Sequence, residues 1–240
     1  MIALSRIRTF AIASLISLVS VTGLTLLFPQ PWLIKFLSGW ICPGAVYFQE
    51  TTEPVVALTI DDSPDSQTTD TILQVLAEHG VKATFFPISD RIEANPQLTQ
   101  KIVDEGHEVG NHLTTDEPSI NLGDRFPKEL AKAHQLLSAY APVKWMRPGS
   151  GFCNAEMVEA AKTYNYQVAL GSVWSYDTHL TSSKFANWFI RTNTKPGSII
   201  VLHDGSKRGV NTAQTLSVII PELQQKGYRF VTLSELTTAK

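Results

Sequence analysis

Two adjacent carboxylates, Asp61 and Asp62, follow directly on the apolar run Val55-Val56-Ala57-Leu58-Thr59-Ile60. Neighbouring residues at a strand end point in different directions, so one carboxylate can bind a metal while the other stays free as a base. Alone, the pair would equally suit an acidic turn, because Ser63-Pro64-Asp65 comes next. His112, in Gly110-Asn111-His112, offers a neutral imidazole ligand, although a lone histidine is more often structural. Arg147 opens Arg147-Pro148-Gly149-Ser150-Gly151, a glycine-rich loop whose backbone N–H groups can stabilise the oxyanion of a tetrahedral intermediate. His203, in Val201-Leu202-His203-Asp204-Gly205, is suited to protonate a leaving amine; its plainer reading is a loop histidine paired to Asp204.

The elements between these residues alternate. Strand patterns at 55–60, 83–88, 108–111, 143–147, 166–170, 198–202 and 228–233 are separated by helical patterns at 68–79, 94–105, 127–140, 155–164, 183–192 and 212–226. Such alternation predicts a mostly parallel sheet with helices outside, and about seven strands suit a distorted, incomplete (β/α) barrel. In parallel α/β folds the chemistry gathers at the carboxyl ends of the strands. Asp61 and Asp62, His112, Arg147, Asp177, and His203 with Asp204 all stand just beyond apolar runs.

The chain has 240 residues, 43% of them hydrophobic, and a formal charge of −2, enough for one sizeable core. Without a basic excess to neutralise phosphates, nucleic acid is not expected as a partner. Arg6 and Arg8 precede an uncharged apolar stretch at 10–28, about 19 residues, close to what a membrane-crossing helix needs. No small-x-small cleavage site follows convincingly, and the arginines favour a cytoplasmic amino terminus. We read residues 1–30 as an uncleaved signal-anchor, 31–53 as a linker and 54–240 as one domain outside the cytoplasm; the alternative is secretion after cleavage. The linker carries Trp32, Phe36, Trp40 and Tyr47, and lies either at the membrane surface or on the domain. Cys42 and Cys153 are too few for a disulfide scaffold and are read as two separate thiols.

Together these motifs resemble the polysaccharide deacetylases, carbohydrate esterase family 4 with its NodB homology domain, from about Pro54 to the carboxyl terminus. Thr59-Ile60-Asp61-Asp62-Ser63-Pro64 is similar to the first motif of that family, and Gly106-His107-Glu108-Val109-Gly110-Asn111-His112 to the approach to the second. Arg147-Pro148-Gly149-Ser150-Gly151 is similar to the third, Trp174-Ser175-Tyr176-Asp177 to the fourth and Val201-Leu202-His203-Asp204 to the fifth. The resemblance implies removal of N-acetyl groups from a glycan with one divalent metal, zinc by family habit. It implies Asp61 as general base, Asp62 and His112 as metal ligands, and Arg147 as the residue orienting Asp61. It further implies the Ser150 N–H at the oxyanion, His203 as general acid, Asp177 setting its charge, and Leu202 with Trp174 walling the acetyl pocket.

The second motif usually carries two histidines four residues apart, whereas here Asp116 occupies the second place. A site of Asp62, His112 and Asp116 would be harder than the usual one, favouring manganese, magnesium or calcium relative to zinc. Glu117 is a second candidate, and a broken metal site is the third outcome. The fourth motif also lacks its usual following acid and tryptophan, since Thr178-His179-Leu180 comes next. Besides an active deacetylase, a non-catalytic glycan- or protein-binding relative and a hydrolase of non-sugar amides remain in view.

Overall fold

The computed structural model of the chain describes Gly23, Thr25 and residues 27–239. The expected membrane span at 10–28 therefore lies almost wholly outside the described residues, among which no helix is long and apolar enough to cross a membrane.

The apolar run at 55–60 forms the central strand, β1 (Val55–Ser63), buried along its whole length. A continuous apolar run, instead of an alternating one, is what burial on both faces demands. Strands β2 (Thr84–Pro87), β3 (Glu108–Val109), β4 (Trp145–Met146), β5 (Gln167–Val168), β6 (Val173–Trp174), β7 (Ile199–His203) and β8 (Arg229–Val231) follow. Six strands make one sheet in the order β3-β2-β1-β7-β6 with β8 also on β1, and β4 pairs with β5. Every pairing between these strands is parallel. β1 serves three neighbours in turn: β8 from Val55 to Ala57, β7 from Ala57 to Asp61, and β2 from Thr59 to Ser63. Single-residue links then close the gaps. Asn111 bridges to Met146, and Ser172 N donates to Ile199 O at 3.0 Å. The result is a distorted parallel barrel of eight strands among the described residues, one more than expected. The additional strand, β6, has two residues and is too short to leave a periodic signal.

The helices are α1 (Pro31–Ile41), α2 (Thr69–Glu78), α3 (Ser89–Ala94), α4 (Pro96–Asp104), α5 (Phe126–Leu137), α6 (Ala155–Lys162), α7 (Ser183–Asn193), α8 (Ser206–Gln225) and α9 (Leu233–Leu236). The single helix expected at 94–105 is split, because Pro96 forces Asn95 out of helical geometry (φ −137°, ψ 58°). The helix expected at 212–226 begins six residues earlier, immediately after Gly205. Gly209 permits that start: a Cβ there would lie 2.6 Å from Asp204 Oδ1. Along β1 and β7 the side chains alternate. Val56, Leu58, Ile60, Ile200 and Leu202 pack on Leu216 and Ile219 of α8. Thr59, Asp61, Val201 and His203 therefore fall on the opposite, inner face.

Cys42 and Cys153 form a disulfide, with Cα atoms 5.4 Å apart, which corrects the expectation of separate thiols. The physical reason is the path of the linker. Val46 N donates to Val168 O at 2.7 Å and Gln49 N to Gly197 O at 2.9 Å, so this stretch is stitched to the sheet. Cys42 is thereby delivered to the start of α6. The linker thus divides: residues 42–49 pack on the domain, while α1 buries none of its residues and exposes Trp32, Phe36 and Trp40.

Candidate active site

β1 and β7 run in a register that pairs Asp61 with His203, so the two residues meet at the same end of adjacent strands. The next residue, Asp62, would ordinarily point to the other face. A register irregularity between Asp61 and Ser63, with Asp62 in the left-handed region at φ 61°, turns it to the same mouth. An aspartate tolerates that conformation better than most residues. Both carboxylates consequently approach one imidazole: His112 Nε2 lies 3.4 Å from Asp62 Oδ1 and 4.0 Å from Asp61 Oδ2.

Asp61 is buried and held from below by Arg147, whose Nη1 donates to Asp61 Oδ1 at 2.6 Å and to Thr59 Oγ1 at 2.8 Å. Arg147 is fixed in turn by Nε donating to Ala169 O at 3.0 Å and by the Phe86 ring, 4.2 Å from its guanidinium carbon. A Cβ on Gly110 would meet the Phe86 ring at 2.7 Å, so a glycine there keeps this stack in place. The second oxygen, Asp61 Oδ2, faces His203 Nε2 at 3.9 Å. Asp177 grips His203 twice: Oδ1 stands 3.0 Å from Nδ1, and Oδ2 accepts the backbone N–H at 2.8 Å. Burial disfavours the imidazolium, but Asp177, Asp61 and Asp62 outweigh it and push the His203 pKa up to about 9. Asp204 does not pair with His203; it is buried and bonds to the hydroxyls of Thr68 (2.6 Å) and Thr69.

Asp62 and His112 fit a divalent cation. His112 Nδ1 lies 2.7 Å from Arg147 O, which can only accept, so Nδ1 carries the proton and Nε2 is the free donor atom facing Asp62. Burial opposes ionisation of Asp62, yet the hydrogen bond from His112 and the positive His112, His203 and Arg208 hold its pKa far below the usual carboxylate range. Asp116 does not join them. It is exposed, and its Oδ2 lies 3.1 Å from Arg208 Nη2 and 3.5 Å from Arg91 Nη2. Glu117 pairs with Arg125 at 3.0 Å. Among the described residues no three His, Cys, Asp or Glu side chains are grouped to hold a metal.

Ser150 lies in the exposed turn after Arg147-Pro148, at φ 64° and ψ 8°. Trp174, half-buried on β6, pairs with Val201. Leu202 does not wall a pocket. It is fully buried against the helix layer, and Val201 takes the inner side instead, because strand neighbours point oppositely. Arg208, Arg91 and Thr59 were not among the residues expected from sequence. Arg208 Nη1 reaches Asp62 Oδ2 at 2.9 Å, and Arg91 Nη1 donates to the Asp62 carbonyl. A spacing of five residues from His203 carried no signal while the helix was taken to begin at 212.

A family model described as polysaccharide deacetylase matches residues 48–169. A peptidoglycan-N-acetylglucosamine deacetylase of Bacillus cereus is 34% identical over 197 residues, which cover 78% of this chain and 90% of the relative. The crystal structure of the Bc1960 peptidoglycan N-acetylglucosamine deacetylase, in complex with 4-naphthalen-1-yl-N-oxidanyl-benzamide, matches with a TM-score of 0.77 at 30% identity. It covers 82% of this chain and 94% of that one. A second match is BA3943 from Bacillus anthracis, described as a CE4 family pseudoenzyme. Its TM-score is 0.75 at 27% identity, covering 82% of this chain and 70% of that one. With half the sequence under the family model and a third of it identical to a near full-length relative, the chain belongs to the polysaccharide deacetylase family.

Proposed function

We propose that the chain hydrolyses N-acetyl groups on the glucosamine units of a cell-wall glycan such as peptidoglycan, releasing acetate. The observation that carries this reading is the pairing of Asp61 with His203 across β1 and β7, a carboxylate 3.9 Å from an imidazole whose pKa stands near 9. Asp61, ionised against Arg147, takes a proton from the attacking water. The new C–O bond forms as the acetyl carbonyl opens to a tetrahedral intermediate. His203, protonated at neutral pH, delivers its proton to the amide nitrogen as the C–N bond breaks, leaving a free amine and acetate. Family members generally use a divalent metal, and one held by Asp62 and His112 would polarise the carbonyl and acidify the water. The names of the relatives support the glycan class. The test is acetate release from peptidoglycan and from chitooligomers, before and after dialysis against a chelator. Release from either glycan, falling by more than tenfold on chelation and restored by added metal, is expected; no release from any glycan sinks the reading.

A second reading, a non-catalytic glycan-binding relative, is favoured by one observation: Arg208 sits against Asp62, where a metal would be served. Glycan binding with full metal occupancy and no acetate release would select it.

For location, we infer anchoring in a membrane with the domain outside the cytoplasm. The uncharged stretch at 10–28, the exposed aromatic residues of α1 and the disulfide, which persists in oxidising compartments, support this. Protease added to intact spheroplasts is expected to degrade the domain; full protection would overturn the inference.

A further inference from the structure

Three carboxylates at the mouth of the barrel are matched by three guanidinium groups. Asp61 is held by Arg147 at 2.6 Å, Asp62 by Arg208 at 2.9 Å, and Asp116 by Arg208 at 3.1 Å with Arg91 at 3.5 Å. Arg208 stands in the first turn of α8, and its two Nη atoms reach one oxygen of each of two carboxylates that lie far apart in sequence. A planar fork is the side chain suited to such a clamp, and each bond is charge-assisted. Asp62, the acid that would carry half of a two-donor metal site, already has a positive partner on Oδ2.

We propose that Arg208 is a resident cation that competes with a divalent metal for Asp62, and that Asp116 is the anchor holding Arg208 in place, not a metal ligand. The inference rests on Asp62 and His112 as the metal-binding pair. Metal entry then requires the Arg208 side chain to swing out towards solvent, which its partial exposure allows (26% for the side chain). An equilibrium between clamped and open forms lowers the apparent affinity by the fraction that is open. Releasing the clamp removes that penalty and also removes a like charge from beside the metal. A site that fills only at high metal concentration follows.

The experiment titrates Zn²⁺ into the detergent-solubilised full chain after chelator dialysis, with heat of binding as the readout. Four forms are compared: wild type, Arg208→Gln, Asp116→Ala and Asp62→Asn. Arg208→Gln and Asp116→Ala are each expected to bind at least tenfold more tightly than wild type, and Asp62→Asn to lose binding. Unchanged or weaker binding by folded Arg208→Gln overturns the proposal. So does loss of binding in Asp116→Ala, which would make Asp116 a ligand. Asp116 is exposed, so its replacement keeps the question answerable even where Arg208→Gln does not fold. Acetate release is measured on the same samples. Tighter binding in both variants with no acetate from any form would leave the clamp standing and remove the deacetylase reading. Equal affinities with normal turnover would do the reverse.

Discussion

Asp61→Asn is expected to lower acetate release by about a thousandfold, within the 10²–10⁴ range typical of a lost general base. The partner substitution is expected to act differently. Arg147→Met removes a charge from a buried pair and leaves Asp61, itself buried, without its cation. Breaking a buried pair from one side costs about 3–5 kcal/mol, because the surviving charge stays desolvated. Arg147 also loses its bonds to Thr59 and the Ala169 carbonyl and its stack on Phe86, so the upper part of that range applies. Urea unfolding should show this as a lower midpoint with an unchanged slope. Replacing both partners, Asp61→Leu with Arg147→Met, should destabilise less than Arg147→Met alone, since no lone charge is left behind. The two variants thus separate chemistry from folding: Asp61→Asn falls mainly in turnover, Arg147→Met in both. An Arg147→Met chain as stable as wild type would show that the pair does not hold the barrel mouth together.

Much of this architecture was legible in the sequence for a physical reason. A parallel strand buried on both faces has to be written as an unbroken apolar run, and the run at 55–60 could hardly be anything else. Once β1 and its neighbours were placed, the residues after each run had to gather at one mouth. Asp61, Asp62, His112, Arg147, Asp177 and His203 are brought there by strand ends. What escaped the sequence depends on contacts between distant segments or on very short elements. β6 is two residues long and has no period to detect. The disulfide depends on a linker returning to the sheet through Val46, a path that no local pattern encodes. Leu202 was assigned to the pocket by its place beside His203, but strand alternation gives that face to Val201. Arg208 illustrates the remaining limit. Its position in α8 depends on Gly209 letting the helix close on Asp204, and only then does its side chain reach Asp62 and Asp116.

Asp177→Asn should move the protonation of His203 by more than any other single change. In the wild-type, metal-free protein, burial works against the imidazolium while the carboxylates of Asp177, Asp61 and Asp62 raise the pKa to about 9. Asp177 is the largest of the favourable causes, and it also locks the ring through two contacts. Without its charge, burial pulls the pKa back towards the ordinary value of about 6.5. His203 in wild type is then mostly protonated at pH 8, and in the variant mostly neutral, so the proton for the leaving amine is missing. Turnover at pH 8 should fall at least tenfold, with a smaller loss at pH 6, and the alkaline limb of the rate profile should move to lower pH. Stability follows the same sign. A raised folded pKa stabilises the protein fully below about pH 6.5, and that contribution is lost as the pH rises through about 9. The variant should lack this decline, so its unfolding midpoint should approach that of wild type as the pH increases. An NMR titration of the His203 ring in chelator-treated protein reads the shift directly. Should the ring titrate at the same pH with and without the Asp177 carboxylate, its role in holding the acid charged would have to be abandoned, whatever the rates did.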